Sequence, residues 1–352
     1  MEYYIVLLVF YAITLIFLRL VFAEIEGRQA RKMSNVRYFL RYHSKFVYRN
    51  QFSIIFVAFL CYMIVSVEKA FSTMWFLQLL GFIAVGVISD ALSQIVYYYY
   101  INFRFKKDIV ESEELKNEIE QAVLNQGEEL MQQTIPSYEP HRIIEDYLNE
   151  ENHLAVISVD GGNFTSQFEK LPPITYSVEL NPSKAREKLE DKGIKVTTFT
   201  SQGKMPFKDE KLDVVVNELS NYDKFEMYRI LKPGGYLVVD QLGSDNYKEI
   251  INMFIPFKLK GQWNKEACQS TLTEIGFDIV DSYEDVGHIR FHSLSAVLAF
   301  MKSISPERVE KYEQFMNFYA DVLKKIKKNQ FYEITTHKFM VIARKNDMKQ
   351  EN

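Results

Sequence analysis

The hydrophobic and polar positions divide the chain into two parts at about residue 102. Three long apolar runs lie before that point, at residues 3–22, 52–67 and 74–101. An α-helix rises about 1.5 Å per residue, so twenty residues can cross the ~30 Å hydrocarbon core of a bilayer. Only residues 68–73 separate the second and third runs, which indicates a transmembrane hairpin. We therefore predict a three-helix transmembrane region within residues 1–107.

Charged residues predict the orientation of these spans. Residues 24–51 contain seven Lys or Arg residues against two acidic ones, and Arg104, Lys106 and Lys107 follow the third run. The positive-inside rule places both segments in the cytoplasm, which leaves the N-terminus outside and everything after residue 102 inside. A cleaved signal peptide is the alternative for residues 3–22. It fits poorly, because Glu2 precedes the run and the basic residues follow it.

Asp90 is an ionisable residue inside the third apolar run. Such residues are costly in a bilayer and usually face another helix or water. One interpretation is a polar contact to a lipid headgroup or a partner helix. The other is that the 28-residue run overshoots the bilayer and leaves Asp90 near the inner interface.

An acidic segment follows the apolar part. Residues 108–133 hold eight acidic residues and one lysine, with apolar residues at roughly helical spacing. This pattern predicts an amphipathic helix in a linker over residues 108–149, which ends with a short helix at 141–149.

After His153 short apolar runs alternate with polar helical stretches, which is typical of a parallel α/β sheet. The predicted strands are 154–159, 175–180, 195–199, 211–217 and 236–240, followed by 277–282 and a terminal strand or hairpin at 331–343. We assign residues 150–345 to one α/β domain and 346–352 to a polar tail.

Two stretches of this domain resemble the class I S-adenosylmethionine-dependent methyltransferases. They read MPFKDEKLDVVVN and EMYRILKPGGYLVVDQLG, from Met205 and Glu226 respectively. The resemblance covers residues 150–345. It implies a Rossmann-like methyltransferase sheet with flanking helices, S-adenosylmethionine as the cofactor and methyl transfer as the activity.

The resemblance also implies where the cofactor would bind. The glycine loop corresponds to Asp160, Gly161 and Gly162, with Asp160 in place of a family glycine. Glu179, near the end of the second strand, corresponds to the carboxylate that accepts the ribose hydroxyls. The alternative for Glu179 is an ordinary exposed glutamate at a strand end. Ser201 and Gln202 follow the third strand, where the family recognises adenine.

Asn217 and Glu218 end the fourth strand, beside the expected position of the transferred methyl group. Asn217 could orient a substrate, and Glu218 could accept its proton. The alternative is that the pair caps the helix that follows. His288 and His292 lie four apart like a metal pair, but no third ligand is near, so we interpret them as packing or substrate-side residues.

Net charge and cysteine content argue against some classes of function. The chain has 352 residues, 25% of them charged, and a formal net charge of −4, which disfavours a nucleic-acid-binding surface. Its two cysteines lie far apart, which excludes a disulfide framework and a cysteine zinc site. Two hypotheses remain. The first is a multi-pass cell-membrane methyltransferase whose cytoplasmic domain modifies a small molecule such as a quinone, a lipid or a membrane protein. The second is a catalytically inactive module of the same fold for interaction or sensing at the membrane.

Overall fold

A computed structural model describes residues 2–43, 73–124, 131–199, 204–254, 263–305 and 309–346. Within these ranges the helices are α1 (Glu2–Lys32), α2 (Val36–His43), α3 (Thr73–Arg104), α4 (Lys106–Leu124), α5 (Pro140–Glu145), α6 (Asn163–Ser166), α7 (Pro182–Leu189), α8 (Lys224–Ile230), α9 (Lys248–Phe254), α10 (Lys265–Glu274), α11 (Leu294–Ile304) and α12 (Met316–Asn329). The strands are β1 (Met131–Gln133), β2 (His153–Ser158), β3 (Ile174–Glu179), β4 (Lys195–Thr197), β5 (Leu212–Glu218), β6 (Leu231–Leu242), β7 (Phe277–Phe291) and β8 (Tyr332–Lys345).

The chain divides into two compact units. Unit 1 contains Met1–Leu130 and Phe291–Tyr332, and unit 2 contains Met131–Arg290 and Glu333–Asn352. The sequence pattern assigned 291–332 to the sheet domain, whereas α11 and α12 pack with the N-terminal helices. The apolar face of an amphipathic helix does not by itself specify the element against which it packs.

Unit 1 is helical, and α1 packs along α3. Its buried core consists of Ala23, Ala30, Phe39, Tyr97, Ile101, Phe105 and Ile109. Gly27 lets α1 lie close to the Phe105 ring, because a Cβ atom at this position would be only 2.3 Å from that ring. Closer to the N-terminus of α1, the Arg19 guanidinium contacts the Asp90 carboxylate of α3 at 2.6 Å. Asp90 also accepts a hydrogen bond from Gln94 Nε2 at 2.9 Å. It therefore faces another helix of unit 1, which is one of the two surroundings expected for an ionisable residue in such a run.

The predicted apolar spans coincide only in part with helices. Residues 3–22 lie in α1, which continues ten residues further, and residues 74–101 lie in α3. The predicted run 52–67 is outside the described residues. Over the parts of the chain that the structure describes, no helix has the combined length and apolar character needed to cross a membrane. The predicted acidic helix is present as α4.

Unit 2 is built on a mixed sheet with the strand order β1-β7-β8-β6-β5-β2-β3-β4. Strands β2 to β6 run parallel to one another, and β8 runs antiparallel to β6. The predicted Rossmann-like α/β sheet with flanking helices is therefore confirmed. From β2 the chain winds outward through β3 and β4 and then returns to β5 on the other side. The strand order reverses between β2 and β5, and ligands of open α/β sheets bind outside the strands' carboxyl ends at such a switch point.

Hydrophobic residues cover both faces of this sheet. One face carries Val156, Val216 and Val238, and packs with Ile144 of α5 and Phe164 of α6. The opposite face carries Ile157, Val178, Val215 and Val239, and packs with Met227, Ile230 and Leu272 of α8 and α10. Successive residues of a strand point to opposite faces, so this division also determines where the polar residues at the strand ends point.

The Lys-Pro-Gly-Gly stretch makes the turn that the sequence predicts, but inside a longer strand. Lys232 Nζ contacts both carboxylate oxygens of Asp213, at 2.7 and 2.8 Å. Gly234 has a φ of 77°, which favours glycine, and a Cβ atom at Gly235 would lie 2.9 Å from the Asp213 carbonyl oxygen. Strand β6 begins at Leu231 because this residue pairs with Leu212 before the register shifts.

Candidate functional site

Four polar side chains lie in one row across the carboxyl ends of the parallel strands. Ser158 is paired with Glu179, and Glu218 is paired with Asp240. All four point to the sheet face that carries Val156, Val216 and Val238. Neighbouring strands are about 4.8 Å apart, so the row brings three carboxyl groups and one hydroxyl group to the switch point.

Glu218 is the best candidate for acid–base chemistry in this row. Its side chain accepts a hydrogen bond from Ser158 Oγ at 2.8 Å, and the residue is 6% exposed. The pKa of Glu218 is raised to about 7, mainly by burial and also by the negative charges of Asp160 and Asp240, while the Ser158 hydrogen bond and Lys338 act in the opposite direction. A group with a pKa near 7 exchanges protons readily at neutral pH.

Asp160 organises the glycine loop. Its Oδ2 accepts a hydrogen bond from the backbone N–H of Phe164 at 2.7 Å, and its Oδ1 accepts one from Ser158 Oγ at 3.1 Å. Gly161 and Gly162 have φ values of 70° and 83°, in the left-handed region that suits glycine. The carboxylate that replaces a family glycine therefore holds the start of α6, in the manner of a helix cap.

Glu179 is buried against the same loop and is 1% exposed. Its carboxylate accepts hydrogen bonds from the backbone N–H groups of Gly161 and Gly162, at 3.3 and 3.0 Å. Burial raises the pKa of Glu179, as does the charge of Asp160, while the two loop hydrogen bonds lower it. The alternative of an exposed strand-end glutamate is wrong, because this carboxyl group is buried. Its oxygens, however, already accept hydrogen bonds from the glycine loop.

Asn217 and Glu218 do not act from the same side of the sheet. Asn217 lies on the opposite face, where its Nδ2 donates to the Ser220 carbonyl oxygen at 2.9 Å. Its buried Oδ1 has no hydrogen-bond partner among the described residues. Leu219 follows with a φ of 47°, a strained conformation for a leucine, of the kind that clusters at functional sites.

Sequence reasoning missed Asp240. This residue is completely buried, and its Oδ2 is 3.0 Å from Lys338 Nζ on β8. Burial raises the pKa of Asp240, and Lys338 lowers it. The nearby Tyr138 hydroxyl group is buried without a hydrogen-bond partner among the described residues. A signal was present in the sequence, since Asp240 ends the predicted strand 236–240 and Glu218 directly follows the adjacent predicted strand 211–217.

The remaining candidates are Ser201, Gln202, His288 and His292. Ser201 and Gln202 lie outside the described residues. His288 and His292 make separate contacts, His288 with Glu333 at 3.8 Å and His292 with the Gln330 carbonyl oxygen at 3.0 Å. Within the described ranges, no group of three or more His, Cys, Asp or Glu residues could hold a metal ion.

Similarity to known proteins is found among solved structures alone. No family model matches the chain, and no curated protein sequence is significantly similar to it. Among solved structures, one from Bacillus halodurans that bears the name of a methyltransferase is 17% identical, with a TM-score of 0.41, and the match covers 58% of this chain and 97% of that chain.

Two further structures show the same kind of match. One from Galdieria sulphuraria, named for a sarcosine dimethylglycine methyltransferase, is 13% identical, with a TM-score of 0.37 and coverage of 59% of this chain and 83% of its own. The YcgJ protein of Bacillus subtilis is 11% identical, with a TM-score of 0.41 and coverage of 58% and 97%.

Proposed function

We propose that this chain is an S-adenosylmethionine-dependent methyltransferase. The observation that carries the proposal is the Ser158–Glu218 hydrogen bond at the switch point, with a Glu218 pKa near 7. The finer proposal is that the protein is anchored in the cell membrane and acts at the cytoplasmic face on a lipid, a quinone or a protein.

The chemistry of the site fits the cofactor. Bound S-adenosylmethionine would supply a methyl group activated by a positively charged sulfonium. The carboxylates of Asp160 and Asp240 create a negative field that favours a cation at the strand ends. Gly161 and Gly162 leave the loop backbone open to close approach, and Ser201 and Gln202 stand where the family resemblance places adenine recognition.

Glu218 is the proposed general base. It would take the proton that the acceptor atom loses as that atom gains the methyl group. Ser158 positions the Glu218 carboxyl group, and Asn217 would orient the acceptor from the other face of the sheet. Most of the rate would come from bringing the two reactants together in the absence of water.

Glu179 sets the expected cofactor affinity. To bind the ribose hydroxyls its carboxylate must give up the hydrogen bonds from Gly161 and Gly162. Each such exchange costs about 0.5–1.5 kcal/mol. We therefore expect weak binding, coupled to a rearrangement of the glycine loop.

The membrane proposal rests on exposed apolar side chains of unit 1. Large apolar patches are rare on the surfaces of soluble monomers and mark interaction or membrane sites. The large apolar side chains that are 46–67% exposed on α1 and α3 are Val6, Val9, Phe10, Ile13, Phe17, Phe22, Ile25, Phe76, Leu80, Val87, Ile88 and Leu92. The orientation follows from the basic residues at 24–51, and the lipid bilayer is the proposed partner of this surface.

The orientation has a direct test. In a variant lacking Cys61 and Cys268, a Ser137→Cys change should be labelled by a membrane-impermeant maleimide only after the cells are opened. Labelling of intact cells would place unit 2 outside and overturn the cytoplasmic assignment.

One observation favours a second function, an inactive interaction or sensing module. Glu179 is 1% exposed and accepts hydrogen bonds from two backbone N–H groups of the glycine loop. The loop therefore covers the carboxylate that would bind the ribose. If this state is permanent, the cofactor cannot reach the ribose-binding position.

Calorimetric titration of the full chain with S-adenosylmethionine separates the two functions. We expect binding by wild type that Glu179→Ala weakens roughly 10- to 100-fold, which corresponds to the 1.5–3 kcal/mol of a hydrogen bond to a charged group. Glu218→Gln should bind as wild type does but lose transfer of a labelled methyl group to membrane extracts. The exposed Glu151→Gln is the control, and absence of binding by wild type would leave the inactive module.

A further inference from the structure

Unit 1 contains a cavity of about 620 Å³ that is separate from the strand-end site. This open cavity is lined by the end of α1 and the turn after it, by α2, by one side of α4 and by α12. Pockets for small organic ligands typically measure about 300–1,000 Å³. The cavity is therefore large enough for a ligand.

The cavity wall has an apolar part. Val36 and Phe39 of α2 and Ala320 and Leu323 of α12 line it, and all four are buried in the fold. A wall of this kind offers a favourable environment to a hydrocarbon chain, at about 0.8 kcal/mol for each buried methylene group.

The other part of the wall is charged, with four basic residues and the three acidic residues Asp108, Glu111 and Asp321. Arg31, Lys324, Lys327 and Lys328 line the cavity, and the three lysines are exposed along the last turns of α12. Arg31 is occupied by Asp108, with hydrogen bonds of 2.8 and 2.6 Å, and Lys327 by Glu118 at 2.9 Å. Among the described residues, Lys324 and Lys328 form no ion pair. Two ammonium groups at the cavity are thus available to an anion.

We propose that this cavity binds a single-chain amphiphile with an anionic headgroup, such as a fatty acid. Its hydrocarbon chain would lie against Phe39, Ala320 and Leu323, and its headgroup would contact Lys324 and Lys328. The apolar wall and the free ammonium groups lie on the same cavity, which is the combination that such a ligand needs. The site is independent of the proposed methyl transfer, because every residue that lines it belongs to unit 1.

Photo-crosslinking tests the proposal on the full chain in phosphatidylcholine nanodiscs. The probe is a clickable long-chain fatty acid that carries a diazirine, and the labelled peptides are identified by mass spectrometry. We expect labelling within residues 31–39, 108–115 or 320–328. The corresponding fatty alcohol should label these peptides at least tenfold less, because it lacks the charge.

Matched variants test the contributions of the charged part and the apolar part of the wall to labelling. Lys324→Glu should reduce labelling at least fivefold, whereas Lys325→Glu should not, because Lys325 does not line the cavity and lies over the Tyr332 ring instead. Ala320→Phe should also reduce labelling by filling the apolar part. Since Ala320→Phe could impair folding, the exposed Lys324→Glu change carries the test if that variant is lost.

Three results would overturn the proposal. Equal labelling by the acid and the alcohol would show that the lysines play no part. Equal losses in Lys324→Glu and Lys325→Glu would show a general effect of charge. Full competition by millimolar inorganic phosphate would show a site for small anions, in which the apolar wall has no role.

Discussion

Ser158 Oγ lies 2.8 Å from Glu218 Oε2 and 3.1 Å from Asp160 Oδ1, so one hydroxyl group links two carboxyl groups. A serine hydroxyl has a single hydrogen to donate. When Glu218 is protonated, it can donate to Ser158 Oγ, which then donates to Asp160. When Glu218 is ionised, the same hydrogen can serve only one of the two carboxylates. Burial and the negative charge of Asp160 therefore favour a proton on Glu218, whereas the Ser158 hydrogen bond to the ionised carboxylate opposes it.

The raised pKa predicts a dependence of stability on pH. The pKa of Glu218 is about 7 in the folded state, against an ordinary value of 4.5. The folded state thus binds the proton more tightly, so stability should fall as the pH rises from about 4.5 to about 7. Glu218→Gln cannot ionise and should avoid this loss. We expect it to gain roughly 2–3 kcal/mol relative to wild type between these limits, from about 1.4 kcal/mol per pKa unit.

Urea unfolding can follow this effect through Trp263, which packs against Phe339 in unit 2. The chain has two tryptophans, so Trp75→Phe leaves Trp263 as the only reporter. Glu151→Gln is the control and should leave the pH profile as it is in wild type. Parallel profiles for wild type and Glu218→Gln would contradict the assignment of a raised pKa.

Asp160 should contribute to stability through the start of α6. Asp160→Ala removes the acceptor of the Phe164 N–H bond, and loss of such a cap costs about 0.5–2 kcal/mol. Asp160→Asn keeps a side-chain oxygen at this position and should lose less. The same fluorescence assay measures both variants. If Asp160→Ala is as stable as wild type, the carboxylate does not hold the loop.

Arg19 and Asp90 should be energetically coupled. Both side chains are largely buried, so each single change to alanine leaves an unpaired charge between α1 and α3. The double variant should therefore lose less stability than the sum of the two single variants, with a coupling of about 0.5–3 kcal/mol. Thermal unfolding of the full chain in detergent provides the four values.

The exposed pair Lys107 and Glu111, 3.6 Å apart on α4, is the control cycle. Its coupling should be at most about 0.5 kcal/mol, as is usual for exposed pairs on a helix. Couplings of equal size in the two cycles would argue against a special role of Arg19 and Asp90.

Unit 2 should fold without the segment that joins β7 to β8. Arg290 Nε contacts Glu333 Oε2 at 2.7 Å, so the chain leaves and re-enters unit 2 at neighbouring positions. Replacing residues 292–331 by a short Asn-Gly loop within residues 131–352 should give a soluble protein with a cooperative transition. The fragment 131–352 with this segment intact is the comparison and should aggregate more, because α11 and α12 lack their partners. An unfolded product of the replacement would show that unit 2 depends on unit 1.

The sequence by itself determined the α/β alternation of unit 2. Short apolar runs such as 154–159 and 211–217 predict buried parallel strands, because their length and their flanking turns leave few other possibilities. The observed strands β2 and β5 start and end within one residue of these runs. The Lys-Pro-Gly-Gly turn also depends on the local sequence. Gly234 has a positive φ and Gly235 lies close to another backbone segment, and glycine suits both positions.

Only the tertiary structure decided the partners of the polar side chains. Glu179 could be matched to a ribose ligand from its strand-end position, but its bonds to Gly161 and Gly162 depend on how the loop folds over β3. Asp240 became part of the site because β6 lies beside β5, in register with Glu218. The assignment of α11 and α12 to unit 1 has the same cause. An amphipathic pattern states which face of a helix is apolar, whereas the surface that covers this face is chosen by packing among residues distant in sequence.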